Sequence, residues 1–427
     1  MAVAIASAIG LPAAHAQESL LAEGVADISA SAESVYFFGP ASAGAQRAAQ
    51  DDAMIAALES DPSVMGYEAI NVDARLLNGA TDSFYLNFAP GLVFPIKKME
   101  SYSLNDDYTA WTGELDMGYD ARVGKHGINP NQAVFVRSKD NRVFGQIRME
   151  GQVFEVATME KGGYVLIERD FSQVGYEDDT PAETLPFETT PPLRDFAQTR
   201  VDGTTRATSD IRVLQAASPQ AINALGGGGP TVDRMNFFLA QSNQVFNNNQ
   251  LDMRFVDAGK FNSGANERFN AQSNAAGLRS TNDGYLDTFA GATRNSRGAD
   301  LVGLIVNTPG DPGICGIVNA IGGGQSNGFF VVKHSCTNFT FVHEVGHLFG
   351  ARHDNDPTTS PFSFGHGFVS ASANYRTIMA VSSNPQPRIA LFSTDRFSVG
   401  GVTAGNASFR DNERVHETRR NTVASFR

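Results

Sequence analysis

The sequence has few cysteines, fewer basic than acidic residues and no long hydrophobic run. Only two of its 427 residues are cysteines, which argues against a disulfide-rich scaffold and against a cysteine-based metal cluster. No apolar stretch approaches the roughly 20 residues of a membrane-spanning helix, so we expect no membrane span. The net charge of -13 opposes attraction to phosphate backbones. Nucleic acid is therefore not an expected partner.

The amino terminus resembles a secretory signal peptide. Residues 1–16 are small and apolar and end in Ala14-His15-Ala16, a small-x-small pattern that a signal peptidase can cut. No basic residue precedes the apolar stretch, which leaves an upstream start or an Ala-rich tail as alternatives. We expect export to the extracellular space. In an exported chain the two cysteines, Cys315 and Cys336, are expected to form one disulfide, and two free buried thiols are the alternative.

Length and composition predict two or three folded units. Residues 17–175 form the first, in which residues 41–60 read as a helix and residues 132–171 read as successive short strands. Apolar and polar residues alternate within these strands, which predicts a sheet with unequal faces. The strands are QAVFVRS, RVFGQIRM, QVFEVAT and YVLIERD. The first unit is therefore predicted to be a separate β-rich domain.

Residues 176–206 are predicted to be a linker. They are acidic, rich in proline and threonine, and lack the spaced apolar residues that bury a face. Arg194, Arg200 and Arg206 are basic points at which a protease can cut such a segment. The linker is therefore the expected place of activation cleavage.

Residues 207–427 alternate predicted strands and helices. Strands are predicted at 211–217, 251–259, 300–307 and 329–335, and helices at 232–249 and 283–295. Such alternation predicts a largely parallel sheet that is covered by helices.

The stretch TFVHEVGHLFGARHD carries the chemistry of this second half. His343 and His347 are four residues apart, which places both imidazoles on one helix face. Zinc needs a third protein ligand, and His353 reaches it if the helix ends at Gly350, because glycine tolerates positive φ. Glu344, beside the first ligand, can accept a proton from the attacking water. The sequence therefore predicts one catalytic Zn²⁺ ion that is held by the three histidines, with Glu344 as the catalytic base.

This motif, H-E-x-x-H-x-x-G-x-x-H, resembles that of the metzincin metalloproteases. Asp354, directly after the third histidine, resembles the adamalysin or reprolysin branch and its bacterial secreted relatives, including peptidyl-Asp metallopeptidases. Metzincins carry a methionine turn beneath the metal, and YRTIMA at 375–380 places Met379 in that role as a hydrophobic floor. Some branches have a tyrosine two residues later. Here Val381 occupies that position, which departs from their pattern.

The resemblance covers residues 211–427 and implies a precursor that is held inactive. Many metzincin propeptides place a cysteine on zinc, but both cysteines lie in the predicted catalytic domain. A carboxylate, with Asp195 and Asp202 as candidates, or steric cover by the propeptide is expected instead. Arg376 and Arg388 flank the methionine turn, where a basic group can favour acidic substrate residues. Surface arginines beneath an apolar pocket are the alternative.

Other readings of the second half remain open. Residues 324–328 match G-x-S-x-G, so Ser326 is a candidate serine nucleophile, although the strand that follows is the wrong context for a nucleophile elbow. A zinc-stabilised binding module without turnover is another alternative. Asp354 and Asp356 suggest calcium, which is unsupported because no twelve-residue loop with a closing glutamate follows. His334 and His366 are predicted to be structural, and a place in the lining of the substrate cleft is the alternative for His366.

The sequence thus predicts an α/β zincin of the metzincin type with a twisted mixed sheet and a zinc helix, preceded by a β-rich propeptide. The predicted function is a secreted, monomeric zinc endopeptidase. Its partners are protein or peptide substrates and its own propeptide as inhibitor.

Overall fold

The computed structural model describes residues 35–44, 46, 52–89, 91–118, 127–174, 208–308, 313–381 and 383–427. The chain divides into two compact units, the first comprising Met1–Tyr119 and Asn131–Asp170 and the second Asp120–Pro130 and Phe171–Arg427. The predicted signal peptide and the linker, with its three arginines and two aspartates, lie outside the described residues. Within these ranges, no helix is both long and apolar enough to cross a bilayer.

The first unit is one antiparallel sheet with a single long helix among its described elements, α1 (Ala53–Ser60). The strand order is β1-β2-β9-β8-β7-β6-β5-β4-β3. The strands are β1 (Phe38–Pro40), β2 (Val64–Val72), β3 (Ser83–Ala89), β4 (Leu92–Ser103), β5 (Tyr108–Leu115), β6 (Gln132–Ser138), β7 (Val143–Met149), β8 (Gln152–Thr158) and β9 (Tyr164–Arg169). The prediction of a β-rich first half is confirmed.

This sheet closes on itself around an aromatic core. Phe37 N–H donates to the Tyr85 carbonyl at 2.9 Å, and Tyr85 N–H donates to the Val35 carbonyl at the same distance, which joins the two ends of the sheet. The prediction of unequal faces is wrong for β8, because Glu155 is fully buried. Its carboxylate accepts from Arg169 Nε at 3.0 Å, since a buried charge needs a partner.

The second unit is a helix-covered mixed sheet, which fits a zincin fold. The strand order is β11-β10-β12-β14-β13, with the first four parallel and β13 antiparallel at the edge. The strands are β10 (Ser209–Ala217), β11 (Met253–Asn262), β12 (Leu301–Val306), β13 (Gly316–Val318) and β14 (Phe329–Lys333), with short hairpins from β15 (Val369–Ser370), β16 (Tyr375–Arg376), β17 (Ser398–Val399) and β18 (Val402–Thr403).

Helices cover this sheet. They are α2 (Pro219–Ala224), α3 (Gly228–Asn248), α4 (Ala271–Arg279), α5 (Asp287–Ala290), α6 (Ala292–Arg297), α7 (Thr340–Phe349) and α8 (Asn412–Val423). The stacked rings of Phe238 and Phe341, with centroids 5.2 Å apart, join α3 to α7. Phe341 also meets Phe330 of β14 edge to face. Helix α7 is therefore wedged between the sheet and the longest helix.

Two predicted helices differ from the structure. The helix predicted at 283–295 is two short helices, because Gly291 adopts φ -112° and ψ -98° between them. The helix predicted at 41–60 is interrupted at Asp52, whose extended backbone and side chain cap the start of α1. Asp52 accepts from Met54 N–H at 3.0 Å. A local side-chain cap competes with helix continuation at this residue.

Candidate metal centre

Helix α7 presents the motif from the interior of the second unit. Every residue of Thr340–Phe349 is buried, so the polar members of the motif need internal partners. The helix ends where the sequence predicts, at Gly350, which has φ 103° and ψ 10°. Its N–H donates to the His347 carbonyl at 2.9 Å. This left-handed cap turns the chain back toward the helix.

The turn brings three imidazoles together. His353 Nε2 lies 3.1 Å from His343 Nε2 and 3.0 Å from His347 Nε2. The three ligand nitrogens all lie within 4.8 Å of one another. Two nitrogens bound to one tetrahedral zinc ion at ~2.1 Å are about 3.4 Å apart. The spacing therefore suits a single zinc ion.

The other ring nitrogens fix the orientation of two of these histidines. His343 Nδ1 donates to the Ile378 carbonyl at 2.9 Å, and His347 Nδ1 donates to the Ala351 carbonyl at 2.9 Å. Carbonyl partners at Nδ1 place the lone pair on Nε2, where a metal takes it. The donor set is thus three neutral nitrogens facing one point.

Burial keeps these rings neutral. It lowers the pKa of His343 and of His347 well below the usual value, and the nearby Arg388 adds to the effect at His343. For His353, burial and then Arg388 lower the pKa to about 4. Zinc binds the neutral imidazole, so the site is prepared for metal at neutral pH.

Glu344 follows the first histidine and is 1% exposed. Its carboxylate lies against the edge strand β13, beside the backbone of Gly316. A buried carboxylate that follows the first of these histidines on the same helix and lies against the edge strand can exchange a proton with a reacting group.

Met379 and Asp354 support the site from below. A Cβ on Gly346 would meet Met379 Sδ at 2.5 Å, so the helix sits directly on the sulfur. Asp354 accepts from Val381 N–H at 2.9 Å and from Asn384 Nδ2 at 3.2 Å. The residue after the third histidine is therefore tied to the turn that carries Met379.

The candidate residues Asp354, Asp356 and His366 all have protein partners in or around the loop that follows the third histidine. Asp356 accepts from Arg352 at 2.5 Å, while Asp354 holds the methionine turn, so both carboxylates proposed for calcium have protein donors. His366 contacts the Thr358 carbonyl through Nε2 at 2.8 Å and stacks on Phe409. The ring of His366 thus supports this loop and is separate from the imidazole cluster.

Arg376 and Arg388 are both buried beside the methionine turn. Arg376 Nη1 and Arg388 Nη2 donate to the same carbonyl, that of Ala380, at 2.7 and 3.0 Å. Arg388 Nη1 also donates to the Asn338 carbonyl at 2.9 Å, just before α7 begins. Two guanidinium groups therefore converge next to the residue that follows Met379.

The two cysteines, His334 and Ser326, which the sequence analysis also singled out, make contacts that stabilise the fold. Cys315 and Cys336 form a disulfide between the residue before β13 and the loop before α7. His334 Nε2 contacts Asn307 Oδ1 at 3.0 Å. Ser326 Oγ lies 3.2 Å from Asn327 Oδ1, in the turn that leads into β14. No nucleophile elbow is formed at Ser326, because a strand and not a helix follows it.

The mixed sheet, the helix with its two histidines and the returning third histidine fit a zincin fold. The family model Reprolysin_5, described as metallo-peptidase family M12, matches residues 207–393. Together with this match, the fold and the histidine cluster identify the chain as a zinc metallopeptidase.

Relatives match over nearly the whole chain. The peptidyl-Asp metalloendopeptidase of Xanthomonas campestris pv. campestris is 30% identical over 406 residues, which is 93% of this chain and 95% of that protein. The enzyme of the same name from Stenotrophomonas maltophilia is 29% identical over 412 residues, 94% of this chain and 96% of that protein. A shorter match, 35% over 94 residues, is to the enzyme of that name from Pseudomonas fragi, and covers 21% of this chain and 59% of that protein. The chain belongs to the M12 metallopeptidases.

Family membership decides between the classes that the sequence left open. The chain is a metallopeptidase and not a serine hydrolase or a module that keeps zinc for structure alone. Sequence reasoning missed the backbone partners of His343 and His347 and the contact between Glu344 and Gly316. The carbonyls carry no side-chain signature, and Gly316 is a single glycine after a cysteine, so no pattern marked them.

Proposed function

We propose that the chain is the precursor of an exported endopeptidase in which Glu344 is the general base and His343, His347 and His353 hold the zinc ion. The convergence of three Nε2 atoms, with the buried Glu344 following His343 on the same helix, carries this proposal. The edge strand β13 supports it, because β13 is outermost in the sheet that the described residues form and an edge strand can hold an extended substrate by strand addition.

In this proposal the residues divide the chemistry of peptide hydrolysis. Bound zinc supplies Lewis-acid polarisation of the scissile carbonyl and lowers the pKa of the attacking water. Glu344 accepts one proton of that water as its oxygen bonds to the carbonyl carbon. The carboxylic acid then gives the proton to the leaving nitrogen as the C–N bond breaks. Gly346 and Met379 keep the helix seated so that this geometry persists.

Glu344→Gln tests the role of the base. The amide keeps the shape of the side chain but cannot accept the proton, so casein hydrolysis by the linker-cleaved protein is expected to fall at least ~100-fold with zinc content unchanged. In the parent, 1,10-phenanthroline is expected to abolish hydrolysis and added zinc to restore it. A Glu344→Gln variant that retains the parental rate would refute the assignment.

We further propose cleavage at aspartate, as the names of the relatives suggest. The observation that supports it is the pair Arg376 and Arg388, which brings two positive charges to the methionine turn. The effect of Arg388 on the pKa of His343 and His353 indicates that its field reaches the metal centre. A substrate carboxylate beside the scissile bond gains a favourable partner there.

Paired peptides that differ only in Asp or Asn test this specificity. Arg388→Gln is expected to reduce the kcat/KM ratio of the two peptides about 30-fold, which corresponds to a lost charge pair of ~2 kcal/mol. The ratio does not depend on the amount of active enzyme. Arg376→Gln is the matched control and is expected to have the smaller effect. An unchanged ratio in Arg388→Gln would contradict this role.

Export, the propeptide role of the first unit and a monomeric mature enzyme complete the proposal. The first two rest on the sequence signals at residues 1–16 and 176–206. A precursor with Asp195→Asn and Asp202→Asn that is already active before linker cleavage would support a carboxylate latch. A variant as silent as the parent would leave steric cover as the mechanism of latency.

A further inference from the structure

The first residue of the edge strand is held firmly in place. Gly316 begins β13 and pairs with Val332 of β14. The preceding residue, Cys315, is bonded to Cys336, and its carbonyl accepts from Lys333 N–H at 2.7 Å. Strand pairing, a disulfide and a backbone hydrogen bond therefore all fix this point of the chain relative to the segment that leads into α7.

Gly316 faces the carboxyl group of Glu344 at a distance that admits no side chain. A Cβ at this position would lie 2.6 Å from Oε1, 2.7 Å from Cγ and 2.8 Å from Cδ of Glu344. The φ of Gly316 lies outside the left-handed region, so backbone conformation does not require glycine here. Glycine is required here because the side chain of Glu344 approaches too closely to leave room for a Cβ. Because Glu344 is 1% exposed, its side chain cannot simply swing into solvent.

We propose that Gly316 is a positioning residue that determines where the carboxylate of Glu344 stands for proton transfer, with the disulfide holding the strand against it. This inference rests on the proposed role of Glu344 as base. A side chain at 316 would push the carboxylate off the edge strand. Displacement of a catalytic group by about 1 Å can cost ~100-fold in rate.

Gly316→Ala in the linker-cleaved protein tests the catalytic consequence. The expected result is a kcat lower by roughly 100-fold, with KM changed less than threefold and zinc content equal to that of the parent. Gly324→Ala is the matched control, because a Cβ there meets nothing within 4 Å and its φ is -110°. The control is expected to keep the parental kcat. A parental kcat in Gly316→Ala would overturn the proposal.

A double-mutant cycle of melting temperatures in the full chain tests the contact between Gly316 and Glu344 without an activity measurement. Gly316→Ala is expected to lower the Tm by about 3 °C or more, as overpacking does in a unit of this size. In a Glu344→Ala background the atoms that clash are gone, so the same substitution is expected to cost less than about 1 °C. Equal losses in the two backgrounds would overturn the proposal.

The role of Glu344 as base and the positioning role of Gly316 would be refuted by different results. If Glu344→Gln stays active, the proposed base is wrong whatever Gly316 does. If Glu344→Gln is inactive while Gly316→Ala is fully active, only the positioning role is wrong. Should Gly316→Ala not fold, the double variant Gly316→Ala, Glu344→Ala decides. Recovered folding supports the contact, and continued misfolding overturns it.

Discussion

Removal of the disulfide is expected to loosen the edge strand and lower the stability of the second unit. The cysteines are 21 residues apart, for which the chain-entropy model gives a stabilisation of about 3.4 kcal/mol. In a unit of roughly 220 residues, each kcal/mol changes the Tm by about 2–4 °C. Cys315→Ala, Cys336→Ala is therefore expected to melt about 7 °C or more below the parent.

Differential scanning calorimetry of the full chain measures this change, and casein hydrolysis by the cleaved protein reports on the site. Both cysteines are buried, so the double variant is a cleaner perturbation than added reductant. Reductant is expected to have no further effect on the variant, which is the control. A Tm within about 1 °C of the parent would refute the reasoning, because strand pairing alone would then hold β13.

Three further predictions concern Asp354, His416 of α8 and Ser326. Asp354→Ala removes the two carboxylate oxygens that accept hydrogen bonds from Val381 and Asn384. This variant is expected to lose about 2–4 kcal/mol of unfolding free energy and to retain zinc less well against a chelator. Asn384→Ala removes only one of the two donors and is expected to cost less. His416, whose pKa burial lowers to about 4, is neutral in the folded state. The unfolded ring takes a proton near pH 6.5, so its contribution of ~3 kcal/mol is lost as the pH falls from about 6.5 to 4. His416→Phe is expected to flatten the fall in stability over that window, and an identical pH profile in variant and parent would contradict this. Ser326→Ala is expected to keep full chelator-sensitive activity, and a lost activity would return the serine nucleophile to consideration.

The zinc helix could be predicted from sequence because its logic is local. A spacing of four residues sets two side chains on one helix face, and a glycine sets the end of the helix. The structure realises both, from Thr340 to the left-handed Gly350. The strands at 132–169 were predictable for the same reason, since short apolar runs are separated by glycine-containing or polar turns.

Other elements could not be predicted in this way. Strands β2 to β5 were not expected, because register shifts interrupt the regular alternation, as between Lys98 and Glu100 in β4. Helix α4 follows from a cap at Asn270, whose side chain accepts from Ser273 N–H, in a segment of low apolar content. Both cases depend on neighbours that are distant in sequence or on a single capping residue.

The parts of the site that govern orientation lie apart in the sequence. The histidines and Glu344 fall within eleven consecutive positions, but the carbonyl that orients His343 comes from Ile378. The wall beside Glu344 comes from Gly316, and the charge near the metal comes from Arg388. None of these residues has a chemical signature of its own, because a carbonyl, an absent side chain and a buried arginine gain meaning only through what they face.

The motif residues and the residue beside Glu344 lie apart in the sequence, so one can change while the other is kept. A motif search detects the residues that we propose bind metal, so it accepts a chain in which Gly316 is replaced, although the carboxylate of Glu344 would then have no room beside β13. Zinc would still bind, since the three imidazoles do not touch that strand's first residue through any hydrogen bond described for them. In this proposal metal binding and turnover depend on different contacts, so a chain with an intact motif and full zinc content is expected to be a poor peptidase when Gly316 is replaced.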